Sequence, residues 1–342
     1  MSAINDTETV GDAGSWFSRM RSRGGSALTN SWIVLVLIGL VVLFSLLNGD
    51  FFTLFNLGSI LVNASVLAVM AVGQTYVIIT AGIDLSVGSV LVFSGVTAVV
   101  TMRALGGSEA GWGVAILGIV VALVSGLFWG ILNGFLIARS RVPALIVTLG
   151  TLGMALGIAE ILTGGVDIAT VPTVLVSSIG FGQVLGVPVL VIVAVVVIVL
   201  GQLVLKLTRF GRHTYAIGSN PEAARRASIP VSSQLIKVYA LQGLLAGLAG
   251  ILSLARFSTT TLTGHSSDNL AVISGVVLAG TSLFGGYGSV LGTAVGILIP
   301  VVLQDGLVIV GLPSFWQTVL IGAILIAAVY LDQVKRRSRA LG

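Results

Sequence analysis

One carboxylate is placed where chemistry or transport would need it. Asp84 interrupts the apolar stretch between Phe51 and Met102, in the order Gly82-Ile83-Asp84-Leu85-Ser86-Val87-Gly88-Ser89. An ionisable group inside an apolar segment is costly to hold, which makes it a candidate for handling a solute or an ion. A plainer role fits the same spacing: the Asp84 carboxylate can accept the backbone N–H of Ser86 or Val87 and start a helix. The two roles are compatible, because a capped break in a helix is a good place to build a path. A second group lies at 218–230, where Gly218 and Asn220-Pro221-Glu222-Ala223-Ala224-Arg225-Arg226 precede Pro230. Asn220 suits an N-cap and Pro221 the first helical position. Glu222 in the first turn and Arg225 and Arg226 near the end complement the helix dipole. Pro230 turns Ile229 away from helix. The spacing therefore predicts a helix of about two turns, too short to be stable alone in water. It must rest on lipid, on the protein's own spans, or on a partner.

Other chemistry is excluded. The chain has no cysteine, so disulfides, zinc thiolates and cysteine nucleophiles are ruled out. His213 and His265 are too far apart in sequence to read as a metal-ligand pair. There is no Gly-x-x-x-x-Gly-Lys-Ser/Thr phosphate loop, so the chain is not expected to hydrolyse ATP. No nucleophile–base pair or carboxylate constellation is evident, and neither metal nor cofactor is expected. Asn133 and Asn63 are candidates for hydrogen bonds between helices. Glu160, Asp167 and Asp305 read as groups that reach the membrane interface, although Asp305 could also line a path.

These residues need elements to carry them, and the composition says which. Of 342 residues 56% are hydrophobic and 8% charged, and the mean hydropathy is +1.11. A soluble chain carries about 25% charged residues. Charge-free runs at 24–49, 51–83, 110–138, 168–205, 269–304 and 306–331 are each long enough for a helix of roughly 20 residues to cross the bilayer. We read an all-α integral membrane protein with about ten spans: 32–48, 57–80, 86–101, 113–138, 143–162, 188–206, 234–254, 270–284, 289–311 and 315–331. The stretch 168–187 reads as an outer hairpin or partial helix. With the amino end inside, this threading puts every Lys and Arg except Arg103 and Arg256 on the cytosolic side, as the positive-inside rule requires. The net charge of +5 thus reports topology rather than nucleic-acid binding. Residues 1–30 form an uncleaved cytosolic tail, with Arg19, Arg21 and Arg23, and Trp16 and Phe17 as possible lipid contacts. Residues 31–332 form the transmembrane domain, interrupted by a cytosolic loop at 207–231, and 333–342 a cytosolic basic tail. The 45 glycines favour close helix packing and broken helices. Gly88-Ser89-Val90-Leu91 recurs as Gly288-Ser289-Val290-Leu291, the kind of internal repeat that transporters carry.

In order along the chain stand Gly82 to Ser89, Leu132-Asn133-Gly134, Val142-Pro143, Val147-Thr148-Leu149-Gly150, Thr163-Gly164-Gly165, the loop with Gly218 and Asn220 to Ala224, and Gly280-Thr281-Ser282-Leu283 through Gly288-Ser289. This ordered set, within 56–331, resembles the permease subunit of ribose-type (monosaccharide) ABC importers of the branched-chain-type binding-protein-dependent permease family. The resemblance implies a bacterial cytoplasmic (inner) membrane location, a second permease subunit, a cytosolic ABC ATPase pair, and a periplasmic or lipid-anchored sugar-binding protein. It also implies that Asn220 to Ala224 form the coupling helix that docks on the ATPase. Gly82, Asp84, Ser86, Gly88, Ser89, Asn133, Ser282 and Gly288 become candidates for the translocation path. One segment departs from the family pattern: Asn269-Leu270-Ala271-Val272 stands where a Glu-Leu-Asp-Ala-type stretch is usual. The competing readings are an ion-coupled secondary transporter using Asp84 and an integral-membrane enzyme. Both call for more buried titratable groups than Asp84 alone provides.

Overall fold

The computed structural model describes residues 33–265, 267–313 and 315–340, with backbone only at 331–332 and 334–340. The expected amino-terminal tail, with its arginines and Trp16 and Phe17, lies outside the described residues. Fourteen α segments follow one another: α1 (Ile33–Leu47), α2 (Leu54–Ile79), α3 (Val87–Ala104), α4 (Trp112–Ala138), α5 (Ala144–Thr163), the single turn α6 (Thr173–Leu175), α7 (Val189–Leu207), α8 (Arg209–Ser219), α9 (Pro221–Arg226), α10 (Val231–Phe257), α11 (Asp268–Leu278), α12 (Val290–Gly296), α13 (Leu298–Ile309) and α14 (Phe315–Ala340). Among the described residues seven stretches are long and apolar enough to cross a membrane, with α12 and α13 counted together; α1, α11 and the apolar part of α14 are shorter.

Local chemistry sets the boundaries. Thr53 caps α2 by accepting from Asn56 N at 3.2 Å. Pro143, Pro188 and Pro230 stand immediately before α5, α7 and α10, where a missing N–H costs nothing. Gly164 ends α5 in the left-handed region. Residues 168–187 combine both expectations: α6 runs into a π turn at Val176–Gly180, and a two-residue β1 (Gln183–Val184) pairs with β2 (Val187–Pro188) as a hairpin.

α10 is the axis of the bundle, with 78% of its apolar window buried against 17% for α7. α4 lies along it on a glycine face. A Cβ at Gly126 or Gly130 would overlap the α10 backbone, and one at Gly134 would lie 2.7 Å from Ile236 Cα. Close backbone approach of this kind is how membrane helices gain packing without a hydrophobic driving force. α4, α5 and α7 turn large apolar side chains outward, among them Phe128, Leu149, Met154 and Leu200, as suits a face toward hydrocarbon.

Three carboxy-terminal elements differ from the sequence reading. The span expected at 270–284 ends as a helix at Leu278, because Gly280 takes a φ of 87°. The span expected at 289–311 divides into α12 and α13 at Ile297. The carboxy-terminal basic segment continues α14 as helix to Ala340.

Candidate functional site

Three places gather the polar and small residues of the interior. The first is the start of α3. Asp84, 2% exposed, accepts the backbone N of Ser86 at 2.8 Å and the Ser86 hydroxyl at 2.6 Å through one oxygen. Asn133 Nδ2 on α4 donates to the same hydroxyl at 2.9 Å. The expected bond to Ser86 N thus forms, but it closes the turn ahead of α3 rather than capping it, because Ser86 is itself the N-cap residue and has no side-chain capping bond; Asn133 makes the expected contact between helices. Asn133 Oδ1 and Tyr239 Oη are buried without a hydrogen-bond partner among the described residues. One turn further on, Gly88 N donates to Asn269 Oδ1 of α11 at 2.6 Å. A Cβ at Gly88 would lie 2.9 Å from His265 O. The N-termini of α3 and α11 therefore meet inside the bundle, and Asn269, the departure from the family pattern, joins them. Ala271 beside it is fully buried.

The second place is the end of the bundle that carries α8 and α9. Asn220 Oδ1 accepts from both Glu222 N and Ala223 N at 3.0 Å, with Pro221 at the first helical position, so the expected short helix forms. Arg225 pairs with Glu222, an exposed contact that contributes little. α8 was not expected: its 11 residues, with Arg209 and Arg212 among them, read as loop. Thr208 caps it by accepting from Gly211 N, and Gln234 Nε2 of α10 ties it down through Phe210 O at 2.9 Å and Thr214 Oγ1 at 3.0 Å. The support required by the short helix is thus the protein's own bundle, through α8. Gly218 sits in a backbone junction. A Cβ there would overlap Ile79 O at the end of α2 and lie 2.6 Å from Gly286 N. Gly286 N itself donates to Ile79 O at 2.9 Å. Tyr215 Oη donates to Gly288 O at 2.7 Å; burial raises this phenol above its ordinary range, so it remains a donor. A Cβ at Gly288 would crowd Thr281 and Ile79. Ser282 and Gly288 therefore belong to this junction, and Gly82, Asp84, Ser86, Gly88, Ser89 and Asn133 to the first place. Ser89, on α3, is buried at 7% exposure.

The third place was not found from sequence. At the opposite end of the bundle a cavity of about 550 Å³ opens between α2, the α10–α11 connection, α13 and the start of α14. Asn63, Arg256, Asp268, Gln304, Asp305 and Gln317 line it. Asp305, read from the sequence as reaching the membrane interface or lining a path, is part of this wall and accepts from Asn56 Nδ2 at 2.8 Å. The cavity margin is held by His265, whose Nδ1 meets Asp268 Oδ2 at 2.6 Å and whose Nε2 meets Ser253 Oγ at 2.7 Å. Nearby, the connection is stitched to residues 167–168: Asp167 Oδ1 accepts from Thr260 Oγ1 and Leu262 N, both at 3.0 Å. No sequence pattern could show this cavity, since its walls come from four separate parts of the chain.

A family profile described as "Branched-chain amino acid transport system / permease component" matches residues 56–329. The chain is 38% identical to the ribose import permease protein RbsC of Escherichia coli K12 over 92% of its own length and 98% of that protein's. It is 35% identical to the L-arabinose ABC transporter permease protein AraH of Azospirillum brasilense, over 93% and 92% of the two chains. The fructose import permease protein FrcC of Rhizobium meliloti is 35% identical over 90% and 86%. A broken-helix bundle, a capped helix on its own platform and a likeness that runs through nearly the whole chain agree on one conclusion: this protein belongs to the branched-chain-type permease family, whose curated relatives include permeases of sugar importers.

Proposed function

We propose that this chain is the transmembrane permease subunit of an ATP-driven importer that passes a small sugar-like solute inward by alternating access. It lies in a bacterial cytoplasmic membrane with both termini in the cytosol, as a homo- or heterodimer of permeases. A cytosolic ABC ATPase supplies the energy and a sugar-binding protein delivers the solute to the outer cavity. The observation that carries this reading is the junction at Gly218. The capped helix α9 follows α8, whose last turn is pressed on the end of α2 and on residues 286–288. A force applied to α9 from the cytosol would reach the inner ends of α2 and of residues 286–288 through the close main-chain approach at Gly218 and the Tyr215–Gly288 hydrogen bond. Glu222 and Ala223 are exposed on α9, as a docking surface must be.

The competing readings lack comparable support. Asp84 spends its known bonds on the α3 turn and is not among the cavity-lining residues. Ser253, His265 and Asp268 have the order of a hydrolytic triad, yet Ser253 is 3% exposed and does not line the large cavity. A serine closed off from substrate is a strut, not a nucleophile. The test is uptake of labelled ribose by vesicles containing the complete importer. Uptake should cease when internal ATP is removed and be unaffected by a protonophore; the reverse pattern would establish an ion-coupled carrier. Ala223→Arg should abolish co-purification of the ATPase while leaving the permease folded, and an intact complex would remove α9 from the coupling role.

A further inference from the structure

The 550 Å³ cavity at the end opposite α9 carries an inference about what it holds. Its size falls within the range of about 300–1,000 Å³ typical of small-molecule sites. Its lining is unusual for a membrane interior. Asp305 and Asp268 supply carboxylate acceptors, Arg256 supplies guanidinium donors, and Asn63, Gln304 and Gln317 supply amides that both donate and accept. Among the described residues Arg256 forms no ion pair with either acid, and its Nε is buried without a hydrogen-bond partner. Phe257, 47% exposed, adds a flat apolar surface to the same wall. The Arg256 guanidinium lies 5.6 Å from the centre of that ring, and the His265 ring meets it edge-on at 6.5 Å.

A mixture of donors and acceptors with an aromatic face and aliphatic surface from Val66, Leu67 and Val308 suits a molecule whose hydroxyls both donate and accept and whose C–H face is apolar. The placement of the charges then narrows the class. Asp268 is paired with His265, whereas among the described residues Asp305 accepts only from the Asn56 amide. A phosphate or carboxylate entering beside Asp305 would meet like charge in a region of reduced dielectric, where repulsion is strong. An uncharged polyol meets none.

We propose that this cavity is the permease's own transit subsite for a neutral polyhydroxylated solute, in which Asp305 and Arg256 hold hydroxyls, Phe257 supports the apolar face, and Asp305 turns away anionic sugars. The proposal rests on the importer reading for its biological use, but the subsite can be tested without transport. Purified permease in lipid nanodiscs, without ATPase or binding protein, is titrated with D-ribose and with ribose 5-phosphate, and saturation-transfer NMR reads binding. D-Ribose should give a weak, saturable signal and the phosphate none. Asp305→Ala should weaken ribose about tenfold, as loss of one charge-assisted hydrogen bond does. Arg256→Gln should weaken it similarly. Asp305→Asn keeps an acceptor but removes the charge, so it should retain ribose and begin to admit ribose 5-phosphate. A merely structural aspartate would not change charge selectivity in this way. Should any variant lose its folded elution profile, Gln304→Ala, which leaves both charges in place, must still weaken ribose. The proposal is overturned by unchanged ribose binding in Asp305→Ala and Arg256→Gln, by absence of saturable binding for D-ribose, L-arabinose and D-fructose alike, or by equal binding of ribose 5-phosphate to the wild-type protein. If Asp305→Ala in the complete importer transports ribose at the wild-type rate, the subsite fails and the importer reading stands. If the wild-type complex transports without ATP, the importer reading fails and the NMR result stands alone.

Discussion

At the scale of single residues, Asp84 shows how one side chain can satisfy a local demand that looks like chemistry. Its carboxylate closes the turn before α3 through Ser86 N and Ser86 Oγ, and the Asn133 amide joins the same hydroxyl. This role was legible because such a turn depends on neighbours two or three residues away. The place of Asp305 was not legible, because what surrounds it depends on α2, α10 and α14. The turn needs an acceptor, not a charge. Asp84→Asn should therefore preserve transport and its pH profile, whereas Asp84→Ala should lower stability by about 1–3 kcal/mol, the cost of leaving a buried donor unsatisfied. Thermal unfolding in detergent and uptake at several pH values measure both. If Asp84→Asn abolished uptake while Tm stayed constant, Asp84 would be a coupling residue and the turn incidental.

At the scale of elements, the long spans could be read from the chain because charge is excluded from them. α2, α4, α7 and α10 each lie within a few residues of their expected positions. The misses have a common cause: backbone breaks are decided by tertiary contacts. α8 escaped notice because Arg209, Arg212 and His213 gave it a polar sequence, while its helix is fixed by Gln234 and by the α2 end. α11 stops early where Gly280 turns left-handed, and the α12–α13 break at Ile297 is pressed against Gly275 of α11. The α8–α2 joint predicts a sharp contrast between two glycines. Gly218→Ala forces a methyl into main-chain atoms that cannot rotate away, and overpacking of this kind costs about 1–3 kcal/mol. Uptake should fall even where the importer still assembles. Gly150→Ala on α5 meets nothing within 4 Å, and should leave uptake unchanged while raising helix stability by about 0.5–1 kcal/mol. Equal behaviour of the two variants in uptake and thermal unfolding would show that the joint transmits nothing.

At the scale of the whole molecule, the two ends of the bundle differ in kind. One end carries α8 and α9 with Arg209, Arg212, Arg225 and Arg226, and α4 delivers Arg139 and Arg141 to it. The other end carries the acid- and amide-lined cavity, with Arg256 among the few cations near it. Basic residues accumulate on the cytosolic side of membrane proteins, so this asymmetry supports the orientation we propose. In that proposal the cavity faces the exterior and α9 the cytosol. The absence of native cysteine makes the orientation directly measurable, since each introduced thiol is the only one present. Glu222→Cys, on exposed α9, should react with a membrane-impermeant maleimide in inside-out vesicles and be silent in right-side-out vesicles. Gln317→Cys, on the cavity wall, should show the opposite pattern, and bound ribose should slow its labelling if the cavity is the transit subsite. Labelling of Glu222→Cys from the exterior would invert the molecule. The ATPase would then have no helix to grip, and the charge pattern that orients nearly every basic residue would need another explanation.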